Sequence, residues 1–284
     1  MPFEDLLPFL EEEIEDADEE TFLLFSNAIP SQNLGFIDPK ATSLDITLAD
    51  RDLTIYQSPT VLGSTRTRGT TGAVLWKVTP LFAEWLSSPT NPLFTSGILT
   101  SSSTVLELGC GISPLNAFAM AQRISHYVLS DQDYVQKLVA QNLSANSMPV
   151  RKPKSKAKPL QTGDVLFRPL DWEQDEVTPS LAAPAASFDL VLATDCVFNY
   201  ALVEPFVQTC VDVCALRRRE VDDGGDGAAC LCVIAQQLRN DEVFRLWLSA
   251  FMDKFNVWRV KGELLGALER DGFVVHVGVL RDTT

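Results

Sequence analysis

Apolar and polar residues alternate at Leu44, Ile46 and Leu48, and again at Leu53 and Ile55, with Ala49-Asp50-Arg51-Asp52 between the two runs. A period of two on either side of a short polar stretch predicts a β-hairpin. Beyond residue 103 the apolar runs become nearly continuous, at 104–108, 188–195 and 230–235. Runs of that length and density predict buried parallel strands. Residues 126–131, 165–170, 257–260 and 273–280 predict the remaining strands. Between them the apolar spacing changes to the helical period. One such face is Leu81, Phe82, Trp85 and Leu86, and another is Val135, Leu138, Val139 and Leu143. A third runs from Leu202 through Phe206 and Cys210 to Cys214, and a fourth holds Val243, Phe244, Trp247, Leu248, Phe251 and Phe255. Thr79 and Pro80 suit the N-cap and first position of the helix carrying Trp85. Ser113-Pro114 suits the start of a helix through Ala117 and Met120. The Ser-, Thr- and Pro-rich stretch 87–103 reads as loop. Strands alternating with helices predict an α/β fold: a doubly wound, mostly parallel sheet with an N-terminal hairpin and helix extension.

Three segments follow from this pattern. Residues 1–42 read as an acidic, partly flexible lead-in, 43–103 as the hairpin and helix extension, and 104–284 as the core. Ten acids and no Lys or Arg occupy residues 1–20, although Phe3, Leu6, Leu7, Phe9, Leu10 and Ile14 suit a short amphipathic helix. The whole chain carries a formal charge of −15, which argues against broad nucleic-acid binding and for a basic protein partner. Arg151-Lys152-Pro153-Lys154 and the two lysines after it form a basic, proline-broken insertion that reads as a solvated loop. The six cysteines show no Cys-x-x-Cys pair, which fits reduced thiols in the cytoplasm or nucleus. Only His126 and His276 are present, so zinc ligation has few donors and no metal is expected. No apolar stretch is long enough to span a bilayer, and the acidic N-terminus does not read as a signal peptide.

The stretch richest in chemistry is Val105-Leu106-Glu107-Leu108-Gly109-Cys110-Gly111. An apolar strand runs into an acid and two glycines, and glycine lets backbone approach a ligand closely. A dinucleotide fingerprint needs a third glycine where this chain has Pro114. The loop of S-adenosylmethionine-dependent methyltransferases needs no such residue, because it holds no pyrophosphate. Asp131 ends the next strand, 20 residues after Gly111, at the spacing of an acid that holds ribose hydroxyls. Asp195 ends a central strand, where open α/β sheets bind their ligands.

The set Trp76, Glu107-Leu-Gly-Cys-Gly111, Asp131, Leu170-Asp171-Trp172, Asp195-Cys-Val-Phe198-Asn199 and Ala235-Gln-Gln-Leu-Arg239 resembles the seven-β-strand protein-lysine methyltransferases. The pattern is most similar to their fungal ribosomal lysine methyltransferase subgroup. The resemblance spans about residues 43–282 and implies a Rossmann-like sheet of seven strands. It implies S-adenosylmethionine as cofactor and methyl transfer to a lysine of a basic protein, in the first instance a ribosomal one. An elongation factor, a chaperone or a small molecule is the alternative acceptor. The cofactor would meet Glu107, Gly109, Cys110 and Gly111 through its amino-acid part and Asp131 through its ribose. Trp76 and Trp172 would flank it, with Asp171 along the adenine and Thr194 nearby. Asp195 and Phe198 would form the catalytic mouth. The family's usual Asp-x-x-Tyr has Phe198 in its last place, so the ring is kept and the hydroxyl is lost. A lysine must arrive as a neutral amine, and a carboxylate favours the ammonium, so Asp195 suits a positioning acceptor better than a strong base. Cys196, Trp247 and Trp258 read as packing. The strand that ends at Asp195 lacks the Asn/Asp-Pro-Pro-aromatic run of nucleic-acid amino methylation. The intact glycine loop and Asp131 argue against a silent binding module. A monomer without direct nucleic-acid or membrane contact is expected.

Overall fold

The computed structural model describes residues 2–26, 35–66, 69–146, 164–222, 224 and 228–282. The basic insertion at 151–158 lies outside the described residues.

Among the described residues ten strands form two sheets. They are β1 (Leu10–Glu13), β2 (Ser43–Leu48), β3 (Arg51–Tyr56), β4 (Thr104–Leu108) and β5 (His126–Asp131). After them come β6 (Asp164–Pro169), β7 (Leu190–Thr194), β8 (Leu231–Gln237), β9 (Phe255–Val260) and β10 (Phe273–Leu280). The main sheet has eight strands in the order β1-β9-β10-β8-β7-β4-β5-β6. The five from β8 to β6 are parallel, whereas β10 runs antiparallel to both β8 and β9. From β4 the chain steps outward to β5 and β6, then crosses to β7 and β8 on the other side. The winding direction therefore reverses between β4 and β7. A crevice opens at the carboxyl ends of strands flanking such a reversal.

Every residue of β4, β7 and β8 is buried, as expected of strands covered on both faces. Val105, Leu190 and Val233 share one core with Phe82, Leu86 and Leu115. Leu106, Val191 and Ile234 share the other with Phe206, Cys210, Trp247 and Phe251. The helix Tyr200–Asp222 and the helix Asp241–Met252 cover this second face. Phe206, Trp247 and Phe251 are fully buried, and truncating any of them to Ala should cost about 3–5 kcal/mol. Trp258 is packed as well, against Phe3 at 4.8 Å between ring centres.

The hairpin forms as the alternation predicts, with Leu44 opposite Ile55 and Ile46 opposite Leu53. Its outer edge is satisfied by two side chains instead of a strand. Asn142 accepts from the Tyr56 N–H at 2.8 Å and donates to the Tyr56 carbonyl at 2.9 Å. One helical turn later Asn146 repeats the pair on Thr54, at 2.9 and 2.8 Å. Asn142 also donates to the Ile112 carbonyl at 2.8 Å, so the hairpin is fixed to the loop after β4.

Four expectations change, one of them at Phe255, which opens β9 and does not continue the helix that ends at Met252. The described part of the acidic lead-in is folded: β1 adds an eighth strand, with Leu10 opposite Val260 and Glu13 opposite Trp258. Leu6, Leu10 and Ile14 are buried, and the exposed acids of β1 occupy the sheet's outer edge. The following helix, Ala17–Phe25, starts at the N-cap Asp16 and buries Glu20, which accepts from Arg259 Nη1 at 2.7 Å. The helix carrying Trp85 spans Val78–Ser87, so Thr79 and Pro80 lie inside its first turn, where a missing N–H is tolerated. The stretch 87–103 contains a short helix, Pro92–Thr95, because Asn91 accepts from the Leu93 N–H at 3.1 Å and caps it.

Candidate functional site

An open cleft of about 870 Å³, counting space that is open to solvent, lies at the carboxyl ends of β4 and β7. Its floor is the loop after β4. Gly109 and Gly111 take φ values of +64° and +55°, the left-handed region where a side chain is strained. Space forbids one as well. A Cβ at Gly109 would sit 2.6 Å from Cys196 Sγ and 3.1 Å from the Trp172 ring. A Cβ at Gly111 would sit 3.0 Å from the carbonyl oxygen of Gly72. The segment from Gly69 to Trp76 thus packs backbone to backbone over the loop, and Gly72 donates its N–H to the Tyr134 hydroxyl at 3.1 Å.

Asp131 leaves β5 at the rim of the cleft. It accepts from the Gly111 N–H at 2.8 Å and the Gln132 N–H at 2.7 Å. Burial pushes its carboxyl up to about 6, against those two donors, and the nearby Asp171 adds to the rise. The Asp131 side chain therefore anchors the glycine loop, and each oxygen keeps a lone pair for a hydroxyl donor. Asp171 and Trp172 follow β6 and line the next part of the wall. The Trp172 ring packs on Phe206 at 5.1 Å, and its Nε1 has no partner among the described residues.

Glu107 is the residue the structure places differently. The sequence reading set it against the cofactor, but its side chain is fully buried beneath the loop. Asn116 Nδ2 donates to one oxygen at 2.8 Å and the Tyr127 hydroxyl to the other at 2.7 Å. Residue 107 shares the strand face of Val105, which points at the helix Leu115–Met120 and not at the cleft. Burial pushes its carboxyl up to about 7, while the bonds from Tyr127 and Asn116 pull it down. It supports the loop from below.

The opposite end of the cleft is aromatic. Trp76 donates Nε1 to the Thr71 carbonyl at 3.0 Å, which fixes its ring. Phe36 packs edge-on against it at 4.6 Å, and Phe198 stacks at 6.1 Å with 29° between planes. Phe198 is 41% exposed, so this end opens to solvent. Between the rings and the glycine loop stand Thr194, Asp195 and Cys196 from the end of β7. Cys110 and Cys196 are buried, and burial holds both as neutral thiols. Asp195 is 4% exposed and has φ +57°, in the left-handed region. Arg239 Nη1 donates to its Oδ1 at 2.9 Å and Nη2 donates to its Oδ2. Burial pushes the Asp195 carboxyl above the ordinary range, and Arg239 with the Gln237 N–H pulls back against that.

The structure therefore gathers Trp76, Gly109, Cys110, Gly111, Asp131, Asp171, Trp172, Thr194, Asp195 and Phe198 around one cleft, and sets Glu107 beneath it. Sequence reasoning missed Gly72, Tyr134 and Arg239 as parts of the site. The Gly-Thr-Thr-Gly run before Trp76 and the arginine ending Ala-Gln-Gln-Leu-Arg were the available signals.

The cleft fits S-adenosylmethionine. Two glycines leave a channel that side chains would fill, an acid at ribose spacing follows, and two indoles line the walls.

The chain is similar to proteins of two names. A fission yeast (Schizosaccharomyces pombe) protein named diaminohydroxyphosphoribosylamino-pyrimidine deaminase is 28% identical over 88% of this chain, which spans 54% of that relative's length. A ribosomal lysine N-methyltransferase 5 of Zygosaccharomyces rouxii is 25% identical, with 72% of each chain covered. Its namesake in Vanderwaltozyma polyspora is 24% identical over 86% of this chain and 91% of its own. The family profile described as lysine methyltransferase matches residues 57–244, and this chain belongs to that S-adenosylmethionine-dependent family.

Proposed function

We propose that the chain is a protein-lysine N-methyltransferase whose substrate is a basic protein, in the first instance a ribosomal protein. The observation that carries the proposal is the juxtaposition at the end of β7. An aromatic opening made by Trp76 and Phe198 leads to Asp195 and, behind it, to the glycine loop. A lysine side chain is long, apolar along its stem and polar at its tip, and this opening matches it. The net charge of −15 suits a basic partner, and relatives named ribosomal lysine N-methyltransferase 5 support the choice of substrate.

In this reading Gly109 and Gly111 hold the amino-acid part of the cofactor, Asp131 its ribose, and Asp171 with Trp172 its adenine. Thr194 and Trp76 close the cleft around them. When bound, S-adenosylmethionine would supply an electrophilic methyl group on a sulfonium, which a lysine amine would take as the C–S bond breaks and S-adenosylhomocysteine leaves as a neutral thioether. The protein's part is orientation, worth several kcal/mol of the barrier when the reacting atoms are held in line. Trp76 and Phe198 hold the lysine stem and exclude water, which favours the neutral amine. Asp195 accepts an amine hydrogen and fixes the direction of the lone pair. Phe198 lacks a hydroxyl, so its part is packing alone.

The test is transfer of a labelled methyl group from S-adenosylmethionine into an unmethylated ribosomal protein fraction. Label on lysine supports the proposal. Tight cofactor binding without lysine label, while an elongation factor or chaperone fraction is labelled, moves the substrate to that class. The cytoplasm is the proposed site of action.

A further inference from the structure

We propose that Arg239 is a positioning residue for methyl transfer: it locks Asp195 in its left-handed conformation and neutralises its charge, so that the entering lysine meets an acceptor and no net negative charge. The proposal rests on the lysine methyl transfer argued above.

The geometry requires something to hold Asp195. A non-glycine residue at φ +57° is strained and persists where its surroundings fix it. Its N–H is used on the Ala235 carbonyl at 2.8 Å, and the Gln237 N–H reaches its Oδ1 at 3.3 Å. The two-pronged guanidinium is the strongest of these contacts. Arg239 is itself fixed. Its Nε and Nη2 donate to Gln237 Oε1 at 3.1 and 2.8 Å, and its Cζ lies 5.2 Å over the Trp76 ring. The side chain is 17% exposed. A guanidinium held on three sides is part of the scaffold and does not give way to the substrate's ammonium.

Its charge answers a chemical difficulty. A lone carboxylate beside the acceptor would hold the lysine as the ammonium, which has no lone pair to attack with. The groups around Asp195 are Arg239, the neutral Cys196 thiol and, across the cleft, the carboxylates of Asp131, Asp171 and Glu173. Arg239 is the cation paired with Asp195 among the described residues. Paired, Asp195 keeps lone pairs for an N–H donor without adding net charge.

Two measurements on the full chain test this. The first needs no substrate. Carbon-13 NMR follows the Asp195 carboxyl in the parent and in Arg239→Gln; its midpoint should rise by about one unit or more in the variant. An unmoved midpoint overturns the proposal whatever the substrate is. The second is the pH profile of methyl transfer into the ribosomal protein fraction, with cofactor affinity from calorimetry. Arg239→Gln should keep cofactor affinity within about threefold, lower kcat about tenfold or more, and move the acid limb of kcat/KM to higher pH. Arg239→Lys should recover part of the loss. A fall in rate with an unmoved acid limb and no recovery by Lys assigns Arg239 a purely structural role and overturns the proposal. A parent chain that binds cofactor but labels no lysine condemns the proposed function instead, and the carboxyl titration still decides the role of Arg239.

Discussion

The α-carbon of Gly111 and the backbone of Gly72 touch: a Cβ on Gly111 would lie 3.0 Å from the Gly72 carbonyl oxygen, and one on Gly72 would lie 3.3 Å from the Gly111 α-carbon. Two glycines from separate segments thus let the strap before Trp76 close over the loop after β4. Gly111→Ala adds a methyl group where neither backbone gives way easily, at a φ that disfavours it. Cofactor affinity should fall about tenfold or more, near 1.4 kcal/mol, with the circular dichroism of the parent retained. Calorimetry measures it, and unchanged affinity would remove this contact from the site.

Glu107 makes stability depend on pH in a direction opposite to the usual acid. Its carboxyl rises from an ordinary 4.5 to about 7 in the fold. Below about 4.5 it is protonated in both folded and unfolded chains and costs nothing. As pH climbs toward 7 the unfolded chain ionises first, and stability falls. Glu107→Gln removes that slope. The stability of the variant relative to the parent should therefore rise between pH 4.5 and 7, by about 1–3 kcal/mol. Denaturant unfolding at several pH values gives the difference, and a flat difference would contradict the assignment.

Glu20 joins the N-terminal helix to the sheet through Arg259 Nη1 at 2.7 Å, and His276 Nε2 lies 3.6 Å from the same oxygen. Burial lowers the His276 pKa, so Arg259 is the working cation of the three. Glu20→Ala leaves Arg259 partly buried without its partner and should cost about 1–3 kcal/mol. Hydrogen exchange should show Leu10–Glu13 deprotected before the rest of the sheet. Uniform protection would mean that the apolar contacts of Leu6, Leu10 and Ile14 hold β1 alone.

Asn142 bonds both backbone groups of Tyr56 and the Ile112 carbonyl from a fully buried position. Asn142→Ala strands three polar groups, and about 2–4 kcal/mol of stability should be lost. Because Ile112 follows Gly111, cofactor affinity should weaken as well. Thermal unfolding with and without S-adenosylmethionine separates the two effects.

What the sequence revealed and what it concealed have physical reasons. β4, β7 and β8 were legible because strands buried on both faces must be apolar throughout. Gly109 and Gly111 were legible because the backbone there tolerates no side chain. The N-terminal strand was concealed by charge. Ten acids in 20 residues suggest a solvated tail, yet only Leu6, Leu10 and Ile14 need to turn inward to seat it. Arg239 was quoted in the motif but its task was hidden, since its partner Asp195 lies 44 residues away. Asn142 interrupts a helical apolar face and gave no sign that it serves a hairpin edge 86 residues earlier. Glu107 was misplaced because a strand-end acid before two glycines looks the same whichever face it takes. Its neighbours Tyr127 and Asn116 decide that.

Asp195 carries the central claim. Asp195→Ala removes the acceptor at the aromatic opening and little of the cofactor's surroundings. The measurement is methyl transfer from labelled S-adenosylmethionine into an unmethylated ribosomal protein fraction, read by mass spectrometry on lysine, with calorimetry for cofactor on the same preparation. Label on lysine by the parent, and at least about a tenfold loss by the variant at near-normal cofactor affinity, is the expected result, equivalent to about 1.4 kcal/mol of transition-state stabilisation. Full lysine labelling by a well-folded Asp195→Ala chain would contradict it.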